Sequence, residues 1–256
     1  MKIYYLGTCS GTEPMAGLHQ CSLIIEVGGA YYWFDAGEGC GYTAYVNGLD
    51  PMRAKCLFIS HCHIDHIGGM PHLLFLFHKL IGRNKVKLNY ENKLRVFIPE
   101  LDILEAAKTV ACGSLNHRFA YEIEENAVSE GVVFEDENVR ISAVANDHRQ
   151  GKGPSYSYLI EAEGKRVVFS GDVKSPAELD PFTREGCNLL IMETGHHKVI
   201  DVCEYARQAG IGTLRFNHHG REIIADRQCA EDTVRAFAKE NDMDIKICYD
   251  MMIDDI

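Results

Sequence analysis

Ten cysteines stand at positions 9, 21, 40, 56, 62, 112, 187, 203, 229 and 248, and none forms a CxxC pair. Several lie in apolar stretches, so buried free thiols are expected rather than a disulfide framework. No apolar run reaches membrane-spanning length; the longest, around Leu73 to Leu80, is interrupted by His78 and Lys79. The opening MKIYYLGTCSGTEP carries no apolar core of signal-peptide length, so the cytoplasm is the expected compartment. Positive charge is short: 26 Lys and Arg against 37 Asp and Glu leave a net −11. A protein whose main partner is a long polyanion carries a surplus of bases instead. No repeat, low-complexity tract or Pro/Ser-rich linker breaks the chain, so one domain spanning 1–256 is expected.

The 46% hydrophobic and 25% charged residues are ordinary for a globular protein. Strands are expected at 2–6, 22–27, 30–35, 55–60, 94–99, 119–124, 131–136, 138–145, 188–193 and 213–217. SYSYLIEA and KRVVFSG read as a hairpin, and 244–249 as the last strand. Helices are expected at 66–81, 100–111, 199–209 and 228–240. Strands with interleaved helices suggest sheets covered by helices on their outer faces. One segment departs from the acidic balance. Lys79, Arg83, Lys85, Lys87, Lys93 and Arg95 face Glu91 alone between 79 and 95. The bland reading is a solvated surface; the functional one is a patch attracting a phosphorylated ligand.

The strongest signal is SHCHIDHIGG, 60–69. His61, His63, Asp65 and His66 fall within six residues after an apolar strand. In extended backbone His61 and His63 project the same way. Asp65 and His66 sit where strand gives way to helix. Imidazole and carboxylate suit Zn²⁺, with Mn or Fe where oxygen ligands gather. Four ligands on one catalytic ion leave no room for substrate, so two adjacent ions are the natural solution. Three further apolar strands end on a polar residue: RISAVAND on His148, KRVVFSG on Asp172, TLRFN on His218.

LGTCSGTEP, FDAGEG (34–39), HCHIDH (61–66), His148, SGD (170–172) and FNHHG (216–220) together resemble the metallo-β-lactamase-fold hydrolases over most of the chain. The resemblance implies an α/β fold, a four-layer αββα sandwich with metals at one edge. It implies that His61, His63 and His148 hold one divalent ion, that Asp65, His66 and His218 hold a second, and that Asp172 bridges them. Asp35 would support the ligands from behind, and Asp65 would serve catalysis as well as binding. His219 competes with His218 for the same role. A bridging aspartate points to phosphodiesterases, thioesterases and lactonases rather than β-lactam hydrolysis.

The opening, FDAGEG and AGIGTLRFNH (209–218) resemble ribonuclease Z and its small phosphodiesterase relatives. Counting back from His218, the leaving-group histidine of that branch falls on His196, the candidate general acid. Its tRNA-gripping arm is missing, because only 23 residues separate His148 from Asp172. Met192 stands where the branch has the histidine of its HEAT motif. A small or cyclic phosphodiester is therefore the expected substrate, with tRNA disfavoured, no membrane partner expected and room left for a homodimer. A hydroxide, its pKa lowered by two ions, would attack phosphorus while His196 protonates the leaving oxygen. A lactone or thioester hydrolase, or a metal-bound sensor without turnover, are the competing readings. His19, His72, His78, His117 and His197 are read as structural or surface residues, with His19 near the expected rim.

Overall fold

In the computed structural model, residues 1–11, 14–113 and 118–256 are described. Thr12 and Glu13 of the opening motif, and His117, lie outside them. Contacts divide the chain into two compact units. The first comprises Met1–Gly7, His19–Val128 and Asp250–Ile256; the second comprises Thr8–Leu18 and Ser129–Tyr249.

The first unit is built on β1 (Lys2–Gly7), β2 (Ser22–Val27), β3 (Ala30–Phe34), β4 (Ala54–Phe58), β5 (Lys93–Ile98), β6 (Glu122–Ala127) and the chain's last strand, β14 (Ile253–Asp255). They form one sheet ordered β14-β1-β2-β3-β4-β5-β6, antiparallel as far as β3 and parallel beyond it. Four helices belong to this unit: α1 (Cys40–Val46), α2 (Ile64–Ile67), α3 (Met70–Asn84) and α4 (Leu101–Cys112). Met70, Leu73, Leu74, Phe77 and Ile81 recur along one stripe of α3 and join a core with Leu57, Val96 and Leu104. The alternate strand residues are buried too, with Phe34, Phe58 and Phe97 stacked at 5.1 and 4.7 Å. Burial on both faces is why the parallel strands read as unbroken apolar runs.

The second unit holds β7 (Gly131–Glu135), β8 (Arg140–Ala145), β9 (Tyr156–Ala162), β10 (Lys165–Phe169), β11 (Leu189–Glu193), β12 (Thr213–Asn217) and β13 (Asp244–Ile247). Its sheet is ordered in sequence from β7 to β13, antiparallel through β10 and then parallel. Its helices are α5 (Asp180–Thr183), α6 (Val199–Gln208), α7 (Arg221–Ala225) and α8 (Arg227–Asn241). The topology repeats that of the first unit without any repeat in the sequence. Each unit has a two-residue hairpin with both turn residues at positive φ: Gly28 and Gly29 at 56° and 82°, Glu163 and Gly164 at 51° and 72°. In each, an aspartate follows the hairpin's second strand: Asp35 after β3, Asp172 after β10.

Several expectations shift. The single helix expected over 66–81 is two, α2 and α3, parted at Gly68-Gly69. The Gly69 amide donates to Ala36 O at 2.8 Å, and a Cβ on Gly69 would stand 2.1 Å from Gly37 O. The backbones meet too closely there for an unbroken helix. The strand expected at 119–124 begins at Glu122, because Tyr121 turns into the core and its hydroxyl donates to Leu74 O. The last strand is not 244–249 but β14, which pairs with β1. Helix α1 was not expected; its N-cap is Gly39 in the left-handed region, with no capping side chain to announce it.

The basic segment is also clarified. Lys93 pairs with Glu122 and Glu124, and Arg95 with Glu124, across β5 and β6, while Arg95 also pairs with Glu91 just before β5. Arg83, Lys85 and Lys87 lie exposed at the C-terminal end of α3. Helical rise puts that end about 21 Å from Met70, where α3 begins beside the histidine motif. This favours the solvated-surface reading over a patch that guides ligand to the motif. Among the described residues no helix is long and apolar enough to cross a membrane.

Candidate metal centre

In the first unit the donors are ordered by one buried carboxylate. Asp35, at φ 54°, accepts the Ser60 amide at 2.7 Å, the Ser60 hydroxyl at 2.8 Å and His66 Nδ1 at 2.7 Å. A carboxylate only accepts, so His66 carries its proton on Nδ1 and offers the Nε2 lone pair, 3.5 Å from Asp65 Oδ2. Ser60 spends its proton on Asp35, so at 3.1 Å its oxygen receives His61 Nδ1–H. His61 therefore offers Nε2, which lies 2.9 Å from His63 Nδ1. The expected convergence of His61 and His63 is thus present, although α2 begins immediately after His63. The chain of bonds from Asp35 fixes the tautomers that a metal ligand needs. Cys21 Sγ lies within 4.8 Å of the Asp35 and His66 donor atoms, a neighbour that no spacing in the sequence marked.

In the second unit the focus is Asp172, buried just beyond β10. Its Oδ2 lies 3.6 Å from His148 Nε2 and its Oδ1 lies 3.3 Å from His218 Nδ1. One carboxylate with an oxygen turned to each of two imidazoles has the form a bridging ligand requires. His218 holds φ 50°, and its ring is seated against Gly195, where a Cβ would stand 2.6 Å from Nδ1. His219 faces elsewhere. Its Nε2 donates to Cys248 O at 2.8 Å, its backbone pairs with Thr8 and Ser10, and burial pushes its pKa down to about 4. The geometry thus separates the two neighbours: His218 joins Asp172 and His219 ties loops together.

His196 is half-exposed. Its Nδ1 donates to Glu193 Oε1 at 3.1 Å and lies 3.7 Å from Asp172 Oδ2; its ring centroid is 4.8 Å from that of His148. The bond to Glu193 raises the His196 pKa above its ordinary value. Glu193, at the end of β11, is the member of this cluster that the sequence motifs passed over. Burial works to raise its pKa, but the bond from His196 and the adjacent imidazoles of His197 and His218 overcome this and hold the carboxyl well below the usual range. Donor atoms of Asp172, Glu193, His196 and His218 all lie within 4.8 Å of one another. A charged residue closing the apolar run LLIM was the available signal. His197 points inward, donating to Val173 O at 3.0 Å.

The remaining histidines among the described residues are structural or peripheral. His19 is tied to Asp250, with Nδ1 2.9 Å from its carboxylate, and its ring lies on Gly39. His78 Nδ1 accepts the Ala120 amide. His72 is exposed on α3.

The donor chemistry of both units fits divalent metal: oriented imidazoles, buried carboxylates and a charged pair beside them. Comparison with known proteins agrees. The chain is 28% identical over 182 residues to a ribonuclease Z of Prochlorococcus marinus (strain MIT 9515), covering 70% of this chain and 55% of that protein. It is 31% identical over 163 residues to a ribonuclease Z of Anoxybacillus flavithermus, covering 62% and 48%. The chain thus spans about half the length of these curated relatives. Among solved structures, the metallo-β-lactamase-fold protein YhfI of Bacillus subtilis superposes with TM-score 0.74 at 18% identity, covering 98% of this chain and 97% of the other. The short form of human tRNase Z gives 0.71 at 18%, covering 100% and 99%. Fold and relatives define the class: a metallo-β-lactamase-fold protein similar to ribonuclease Z, as the sequence motifs implied. Within it, the chain belongs to the family described as "Anti-Pycsar protein Apyc1", whose model matches residues 1–209. That match ends before His218.

Proposed function

We propose that this protein is a dinuclear-metal-dependent phosphodiesterase acting on a small or cyclic phosphodiester. The observation that carries the reading is Asp172, with one oxygen toward His148 and the other toward His218, and with the Glu193–His196 pair beside it. The reading takes residues 1–256 as one hydrolase domain. His61, His63 and His148 would hold one ion, Asp65, His66 and His218 the other, and Asp172 both. Family membership and the fixed tautomers of His61 and His66 support it. Two divalent ions, zinc first among the candidates, supply an acidified water and positive charge facing the reacting group when bound. Asp65 shares in orienting that water. His196 donates a proton to the departing alkoxide, and Glu193 holds its Nδ1 so that Nε2 faces the leaving group. Between 146 and 156 the loop after β8 is short, which supports a small substrate over tRNA.

The test is hydrolysis of bis(p-nitrophenyl) phosphate by protein reloaded with zinc or manganese, against a chelated control. Metal-dependent turnover supports the phosphodiesterase. Two bound metals without turnover would move the reading to lactones and thioesters, or to a binding role.

A further inference from the structure

His148 and Asp172 reach one another from strands that are not neighbours. Their parent strands β8 and β10 are separated by β9, so their ends stand about 10 Å apart at ordinary strand spacing. The two loops nonetheless bring His148 Nε2 within 3.6 Å of Asp172 Oδ2. A single carboxylate spans the gap. Glu178 Oε1 accepts the Asp147 amide at 2.9 Å, next to His148. Its Oε2 accepts the Lys174 and Ser175 amides at 2.9 and 3.2 Å, just beyond Asp172. Lys174 also pairs with Asp147 between these loops, an exposed ion pair of the kind that contributes little. Backbone amides donating to a carboxylate make short, directional bonds on rigid partners.

We propose that Glu178 is a positioning residue for the metal ligands His148 and Asp172, holding their two loops at the separation a shared ion needs. The inference rests on the dinuclear reading above. Glu178 also serves a local purpose, because with Ser175 it forms a capping box on the turn at Pro176–Leu179. The two roles are separable. Ser175→Ala removes the capping hydroxyl and keeps every backbone bond to Glu178. Glu178→Ala removes the tie. Glu178→Gln keeps one acceptor oxygen and so one of the two loop contacts.

The experiment is zinc titration of the full chain against a competing chromophoric chelator, with circular dichroism of each metal-free variant to establish folding. Glu178→Ala is expected to weaken zinc binding by about 10- to 100-fold, the usual loss when a group behind the ligands is removed. Glu178→Gln should fall between it and the parent, and Ser175→Ala should match the parent. Should Glu178→Ala fail to fold, the glutamine variant carries the comparison. Parent-like zinc affinity in a folded Glu178→Ala or, in that case, Glu178→Gln would overturn the proposal, as would an equal loss in Ser175→Ala. A parent protein that binds no zinc would overturn this inference together with the dinuclear reading.

Discussion

Gly195→Ala adds one methyl group and should abolish most activity while leaving the fold intact. The new Cβ would stand 2.6 Å from His218 Nδ1 and 2.8 Å from its Cε1. Ordinary carbon contacts begin near 3.5 Å, so something must retreat by roughly 1 Å. The loop has little room on its other side, since Gly220 packs on Gly195 and on the Thr194 carbonyl, where a Cβ added to Gly220 would stand 2.5 Å from the oxygen. The next residue is pinned as well, the His196 amide donating to Glu193 Oε2 at 2.9 Å. The His218 ring therefore yields. Overpacking of this kind costs about 1–3 kcal/mol of stability, whereas a 1 Å displacement of a working group costs on the order of 100-fold in rate. Turnover of bis(p-nitrophenyl) phosphate and thermal unfolding in chelator, measured side by side, separate the two effects. A variant with undiminished turnover and metal content would refute the placement of His218 at the centre.

Other perturbations discriminate among the remaining roles. Asp172→Ala should lose metal and activity together; metal content by elemental analysis, unchanged alongside full activity, would remove Asp172 from the site. His196→Ala should keep its metal but lose turnover, most severely with poor leaving groups; an unchanged rate in the variant contradicts the general-acid role. Replacing Arg83, Lys85 and Lys87 with Gln should leave KM for a phosphate ester unchanged, since they sit at the far end of α3; a several-fold rise would restore the patch as a substrate guide.

Most of the fold was legible because apolar runs buried on both faces announce themselves. YYWF, CLFI, RVFI, VVF and LLIM became β3, β4, β5, β10 and β11, each within two residues of its expected bounds. Elements with weak local signals were harder. Helix α1 has no polar cap, β14 is three residues long, and the α2–α3 break depends on how closely Gly69 approaches Gly37. The ion pairs to Glu122 and Glu124 that absorb Lys93 and help absorb Arg95 join residues about 30 positions apart, beyond the reach of any count along the chain.

The sequence alone determined the donor types, because metal chemistry demands particular atoms and HCHIDH supplies them within six residues at a strand end. It also determined the alternating pattern of sheets and helices. Only the tertiary structure decided which of His218 and His219 meets Asp172, because adjacent residues differ in direction rather than in kind. It likewise decided that Glu193 supports His196, that Asp35 fixes the tautomers of His66 and, through Ser60, of His61, and that Glu178 joins two loops. Each of these is a hydrogen bond between side chains or backbone brought together by strand pairing, and a one-dimensional pattern carries no record of which partners such pairing will select.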